Sequence, residues 1–194
     1  MAKPELILAS TSKYRQEQLK TLGIEFSVMK QPVDETPQLN ELPQALAIRL
    51  ASAKAAAVAS IRRDAIVIGA DQVAAVHRKP VGKPGTVVNA VNQLEQASGR
   101  QMNLYTAFSV YRLGVEEVVD SEIVEIQFRK LTISEIKHYV ILDSPLDCAG
   151  AVKSESRGSM LFESVKSSDP SAIIGLPLIK LCRALRTVGI NPLE

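Results

Sequence analysis

A chain of 194 residues, 46% hydrophobic and 23% charged, has the balance of an ordinary globule with a sizeable core, and we read it as a single domain over residues 1–194. A net charge of +2 with no Lys/Arg run argues against a nucleic-acid groove, and the apolar stretch at 6–9 is far shorter than a signal peptide's apolar region or a membrane span, so neither nucleic acid nor membrane is expected as a partner. The two cysteines, Cys148 and Cys182, exclude a disulfide framework, fit buried apolar packing in a reducing compartment, and set the expected localisation as cytoplasmic.

Taken in chain order, residues 6–9 read as a short buried strand. Ser10-Thr11-Ser12 then supplies an N-cap for a helix to about residue 22, where Gly23 stops it. Residues 31–40 form a loop rich in proline and acid. Pro43 suits the first turn of a helix to about residue 61, with Leu46, Leu50, Ala53 and Ala57 as its apolar stripe. Residues 66–70 are a second buried strand that runs into Asp71-Gln72. Residues 81–85 form a turn, and 87–97 a polar helix ending at Ser98-Gly99. Two longer strands, 103–112 and 118–129, join near Gly114. In the second, Val124, Ile126 and Phe128 alternate with Glu125, Gln127 and Arg129, so one face is buried. Thr132-Ile133-Ser134-Glu135 is a capping box that opens a helix to about residue 142. A segment rich in glycine and serine follows at 149–159. The last helix, 178–188, buries Leu178, Leu181, Cys182 and Leu185 and exposes Lys180, Arg183 and Arg186. Early alternation of strand and helix with a later hairpin predicts an α/β fold with a mixed sheet.

Several residues in this frame have chemistry to offer. A helix N-terminus carries free N–H groups and partial positive charge, so Ser10, Ser12 and, one turn in, Arg15 form either a phosphate site or a serine cap beside a solvated arginine. No glycine-rich cradle is present. Asp71, placed at the end of an apolar strand, either caps a turn or faces the crevice that strand ends line in α/β sheets, where a carboxylate binds a divalent cation or takes a proton from water. Asp34-Glu35 is a second acidic pair that, with Asp71, would complete a Mg²⁺ site. Lys54 interrupts the stripe of Leu46, Leu50 and Val58, and either snorkels or aims into a site. Lys83, in the stiff turn Gly82-Lys83-Pro84, is either solvated or a fixed phosphate contact. Together these make the inventory for metal-assisted phosphate hydrolysis. His77 and His138 are isolated, and no Ser-His-Asp or Cys-His arrangement exists.

The same residues carry a family resemblance. Ser10-Thr11-Ser12-Lys13-Tyr14-Arg15 looks like the SxSxxR signature of the Maf-like nucleotide pyrophosphatases. Asp34-Glu35-Thr36, Lys54-Ala55, Gly69-Ala70-Asp71-Gln72, Gly82-Lys83-Pro84, Ser98-Gly99 and Gly175-Leu176-Pro177-Leu178 follow in the family's order and spacing across essentially the whole chain. The resemblance implies a mixed twisted sheet with flanking helices in two lobes around a deep cleft, as in inosine triphosphatases, often as a homodimer. It implies a small-molecule nucleotide substrate cleaved between the α- and β-phosphates, with a divalent cation, Mg or Mn, as cofactor. Asp71 would be the proton acceptor that activates water. Ser10, Ser12, Arg15, Lys54 and Lys83 would bind phosphates, and Glu35 and Asp71 the metal.

The branch is also marked. Commoner dTTP/UTP-type members carry Asp-Thr where this chain has Asp71-Gln72, and an Ala-Gly-Ala-Tyr-like segment where it has Cys148-Ala149-Gly150-Ala151-Val152-Lys153-Ser154-Glu155. With the aromatic Tyr14 before Arg15, this looks like the branch associated with 7-methyl-GTP. There Tyr14 would face the cationic base, Glu155 accept from its N1–H and amino group, and Gln72 meet O6 or the amino group. Two of these have a plainer alternative: Tyr14 packing on its helix, Glu155 as a solvated loop acid. Thr106-Ala107 departs from the family's Thr-Gly and puts the local strand geometry in question. Two other functional readings stand beside this one: a dTTP/UTP or broad modified-nucleotide pyrophosphatase, and a non-catalytic nucleotide-binding regulator of cell division.

Overall fold

The computed structural model describes residues 4–194. A seven-stranded mixed sheet forms its centre, in the order β2-β1-β3-β5-β6-β7, with β4 paired on β3. β1 (Leu6–Leu8) is buried at all three positions and runs parallel to both β2 (Ser27–Val28) and β3 (Ile66–Val76). Every other pairing is antiparallel: β3 with β4 (Lys79–Val81) and β5 (Gln101–Tyr111), β5 with β6 (Val118–Phe128), and β6 with β7 (Phe162–Lys166).

Among the described residues five α-helices flank the sheet. Ser12 caps α1 (Lys13–Lys20), and Pro43 opens α2 (Pro43–Ala59) at a position where a missing N–H costs nothing. Thr86 caps α3 (Val87–Ala97), the capping box of Thr132 and Glu135 is fully formed on α4 (Ile133–Asp143), and α5 (Leu178–Thr187) closes the chain. The predicted helices are therefore present, with ends that move by a residue or two.

The buried residues divide into two main groups. One packs α3 and α4 against Ala74, Met102, Leu104, Val124, Ile126 and Phe128; the other packs α1 and α5 against Leu6, Leu8, Ile66, Ile68, Phe108 and Val110. These are the two expected lobes. β3 and β5 run through both, so Asp71, Gln72 and Thr106 fall at the junction. α2 lies across the junction, and its contact with β3 is close: a Cβ on Gly69 would stand 2.1 Å from the Ala51 carbonyl oxygen and 2.7 Å from the Ala55 nitrogen. Only glycine admits that approach.

The structure corrects some expectations. β3 does not end at Ala70: its pairing with β5 continues through Asp71↔Ala107 and Gln72↔Thr106 to Val76↔Met102. Val73, Ala74 and Ala75 beyond the polar pair are buried, so Asp71 is a mid-strand residue. The pairing is unbroken at Ala107, so alanine in place of the family's glycine leaves the strand regular. β4 forms where a turn was expected at 81, joined to β3 by His77 and Arg78, both with positive φ, 49° and 63°. β2 and β7 are short and exposed strands that periodicity does not mark. Lys180 is half-buried against Glu122 rather than solvent-facing. Cys148 and Cys182 are both half-buried, not core residues.

Candidate active site

Between the lobes lies a cleft of about 530 Å³. The turn after β1 and the start of α1 form one wall, and the segment after α4 forms the other. β1 stops pairing with β3 at Leu8↔Ile68. β1's chain then turns away into Ser10-Thr11-Ser12 and α1, while β3 runs on. Asp71 emerges beside that gap, which places it at the carboxyl end of the parallel pair although not at the end of its own strand.

Lys54 projects from α2 over this point. Its Nζ lies 2.6 Å from Asp71 Oδ1 and 2.8 Å from Glu35 Oε1. Asp71 is 9% exposed, and the Lys54 side chain only 14%. Lys54 is thus aimed into the cleft, not snorkelling, and it joins a carboxylate on the sheet to one on the loop before α2. Its hydrogen bond holds the Glu35 carboxyl below the usual carboxylate range against the opposing effect of partial burial, with Lys30 and Lys83 adding in the same direction. Asp34 is turned away from the cation, exposed, and accepts from the Thr36 N–H at 2.9 Å. Among the described residues no cluster of three or more His, Cys, Asp or Glu is placed to hold a metal.

Ser12 Oγ accepts from the Arg15 N–H at 3.4 Å, and Ser10 Oγ from the Ser12 N–H at 3.2 Å, so both hydroxyls order the start of α1. Arg15 donates through Nε to the Gly175 carbonyl at 3.1 Å and through Nη1 to the Ala70 carbonyl at 3.1 Å and Ser10 Oγ at 3.4 Å. Burial lowers its pKa, opposed by the nearby charges of Asp71 and Glu35. The guanidinium therefore ties α1, β3 and the loop before α5 together, and only Nη2 has no partner among the described residues. Lys83 faces the cleft from the opposite wall. Its turn is held by two amides one helical turn apart on α3: Asn89 Nδ2 donates to the Pro84 carbonyl at 2.9 Å and Gln93 Nε2 to that of Gly82 at 3.1 Å.

At the other end, Tyr14 lines the cleft, and its hydroxyl contacts Asp147 at 3.4 Å. Partial burial, then Cys148 and the carboxylates of Asp147 and Glu155, push the phenol pKa up. Gln72 Nε2 donates to Thr106 Oγ1 at 2.9 Å and to the carbonyls of Ala172 and Ile173 at 3.0 and 3.2 Å. Carbonyls only accept, so this fixes the amide's orientation and leaves Oε1 as the free acceptor. Of the two expected roles for Gln72, donor to O6 or acceptor from the amino group, this orientation offers the acceptor. Glu155 is exposed on the cleft rim.

The carbonyls that hold Gln72 belong to a 3₁₀ turn (Pro170–Ile173) braced by buried acids. Glu122 accepts from Ser168 N–H at 2.7 Å, from the hydroxyls of Ser167 and Ser168, and pairs with Lys180 at 3.0 Å. Asp169 accepts two N–H groups in the first turn of α5, Ile179 at 2.8 Å and Lys180 at 3.2 Å, while that of Leu178 goes to Ser171 Oγ at 2.7 Å. Sequence reasoning missed Lys30 and Asp147 on the cleft wall, and Cys148, whose thiol is pushed up to about 12 by burial and by Asp147. No motif spacing marked Lys30 or Asp147, and Cys148 stood in the branch segment without a role. Ser10, Ser12, Arg15, Tyr14, Glu35, Lys54, Lys83, Gln72 and Glu155 all reach this one cleft, with Asp71 beneath Lys54.

The fold is similar to that of a HAM1 protein from Coxiella burnetii, which aligns over 95% of this chain and 100% of its own with a TM-score of 0.53 at 13% identity. The profile described as Maf-like protein matches residues 5–188, and the chain belongs to the Maf family. It is 47% identical to the 7-methyl-GTP pyrophosphatase of Bordetella avium (strain 197N), over 98% of this chain and 96% of that protein. It is also 47% identical to the protein of that name from Xanthomonas oryzae pv. oryzae (strain MAFF 311018), over 97% and 98%, and 46% to that of Idiomarina loihiensis, over 97% of each. No described helix is long and apolar enough to cross a membrane.

Proposed function

We propose that this protein hydrolyses 7-methyl-GTP to 7-methyl-GMP and pyrophosphate. The observation that carries the reading is the Lys54 ammonium held between Asp71 and Glu35 in a cleft with Arg15 and Lys83, in a chain 47% identical to proteins of that name. Asp71 is the base that takes the proton of the attacking water, and Lys54, Lys83 and the free Nη2 of Arg15 receive phosphate oxygens. Ser10 and Ser12 hold the helix start that faces them.

The donor set fits a divalent cation. Two carboxylates already converge on one positive centre, the Lys54 Nζ, and Mg²⁺ takes one or two carboxylates with water and substrate phosphates for the rest. Glu35 and Asp71 would hold it, and when bound it neutralises phosphate charge.

Base choice follows from charge. N7-methylguanine carries a delocalised positive charge, which gains on an electron-rich ring, here Tyr14. Its N1–H and amino group are donors, and the acceptors on this side are Glu155 and Gln72 Oε1. The test measures pyrophosphate release with Mg²⁺ from 7-methyl-GTP, GTP, dTTP and UTP in the wild type, Tyr14→Ala and Glu155→Gln. The wild type prefers 7-methyl-GTP, and both variants lose preference more than general activity. Equal wild-type activity on dTTP or UTP overturns the substrate; no activity on any nucleotide overturns the enzyme.

A further inference from the structure

Glu155 stands on an exposed turn, and a carboxylate on an unbraced turn selects poorly because it has no fixed direction. This turn is braced from the end of α4. The Asp143 carboxylate, its side chain only 1% exposed, accepts from Ser156 Oγ at 2.9 Å, from the Arg157 N–H at 3.0 Å and from Arg157 Nη1 at 3.0 Å. The Asp143 carbonyl accepts from Lys153 Nζ at 2.7 Å, and one turn back along α4 the Tyr139 hydroxyl accepts from the Lys153 N–H at 2.9 Å. Lys153 on one side of Glu155 and Ser156 and Arg157 on the other are thereby tied to two positions of one helix. The turn is closed on itself by the Gly158 N–H on the Lys153 carbonyl at 2.9 Å.

A buried carboxylate is a poor way to gain stability, since an apolar side chain of similar size often serves as well. Its use is geometric, because hydrogen bonds fix direction where apolar contacts do not. Every side-chain hydrogen bond of Asp143 goes to the residues flanking Glu155, and none goes to the rest of the core. We infer that Asp143, with Tyr139, is a positioning residue for base selection: it aims Glu155 at the cleft and so sets the preference for an N7-methylated, cationic purine over its unmethylated counterpart. The inference rests on the reading that Glu155 meets the base.

The test is the ratio of kcat/KM for 7-methyl-GTP to that for GTP, in wild type, Asp143→Asn, Glu155→Gln and the double variant. Asn keeps the volume but turns an N–H₂ group toward donors. Asp143→Asn is expected to lower the ratio roughly tenfold, as loss of one hydrogen bond to a charged group would. In the Glu155→Gln background it should lower the ratio no further, a dependence that a purely structural role would not show. Should Asp143→Asn fail to fold, Arg157→Ala and Tyr139→Phe remove brace contacts from the turn side and the helix side, and both should lower the ratio. Equal loss in both backgrounds, or an unchanged ratio in the folded variants, overturns the brace alone. A Glu155→Gln enzyme with full preference overturns the assignment of Glu155 and the brace with it.

Discussion

Lys54 Nζ sits 2.6 Å from Asp71 Oδ1, joining the middle of α2 to the middle of β3 across the junction of the two lobes. The pair places a positive charge over the residue assigned as base, where incoming phosphate would meet it. Replacing Asp71 by Asn keeps the shape and removes the basic carboxylate. Turnover should fall by about 10² to 10⁴, the range for a lost general base, with little change in nucleotide affinity. Single-turnover rates and a binding titration with a non-hydrolysable analogue measure the two separately; near-normal turnover refutes the role.

Gln72→Glu exchanges an amide that donates to three oxygens for a carboxylate that faces the carbonyls of Ala172 and Ile173. The amide donor is then lost to all three oxygens, the Ala172 carbonyl keeping only the Thr106 hydroxyl as donor, the two carbonyls meet negative charge, and a loss of about 1 to 3 kcal/mol of stability is expected. Thermal unfolding at neutral pH measures it. Gln72→Glu should also cost more than Gln72→Leu, which removes the donors without adding charge.

Gly69→Ala tests the contact that sets the height of Lys54 over Asp71. The new Cβ would meet the Ala51 carbonyl at 2.1 Å, so α2 must shift or the strand must bend. Overpacking of this kind costs about 1 to 3 kcal/mol. Because α2 carries Lys54, activity should drop further than the melting temperature alone implies. Full activity per folded molecule would show that the site tolerates movement of α2.

Glu122 predicts a pH dependence of stability. Burial raises its pKa, but hydrogen bonds from Ser167, Lys180 and Ser168 outweigh this and hold it at about 2, below the usual 4.5. A depressed folded-state pKa gives stability that is fully present above 4.5 and lost as pH falls toward 2, worth on the order of 3 kcal/mol. Glu122→Gln should therefore lower stability at pH 7 and flatten its decline between pH 4.5 and 2. Chemical denaturation across that range measures the slope, and an unchanged slope refutes the contribution.

What the sequence revealed followed physical regularity. The helices were legible because caps such as Ser12 and the Thr132–Glu135 box, and the stripe of Leu46, Leu50 and Val58, are local signals. Lys54 stood out for the same reason, as a charge on an apolar face. β2, β4 and β7 were not legible: each is short or exposed, and β4 hangs on a turn of His77 and Arg78 without glycine. β3 was cut short because a polar pair, Asp71-Gln72, reads as a strand's end, whereas its buried continuation depends on pairing with β5, a distant segment. The bonds that orient Gln72 come from Thr106, Ala172 and Ile173, and separations of that order leave no periodic trace.

The ladder between β3 and β5 is continuous from Val67↔Tyr111 to Val76↔Met102, so both lobes share one stiff beam. An enzyme built from two domains and a linker would close as a hinge; here the cleft floor is fixed, and capture of a nucleotide falls to the rim. Amide exchange should show this division. The β3–β5 ladder should exchange slowly whether or not ligand is bound, and the protection gained on binding should concentrate in the loop around Glu35 and the turns around Asp147 and Glu155.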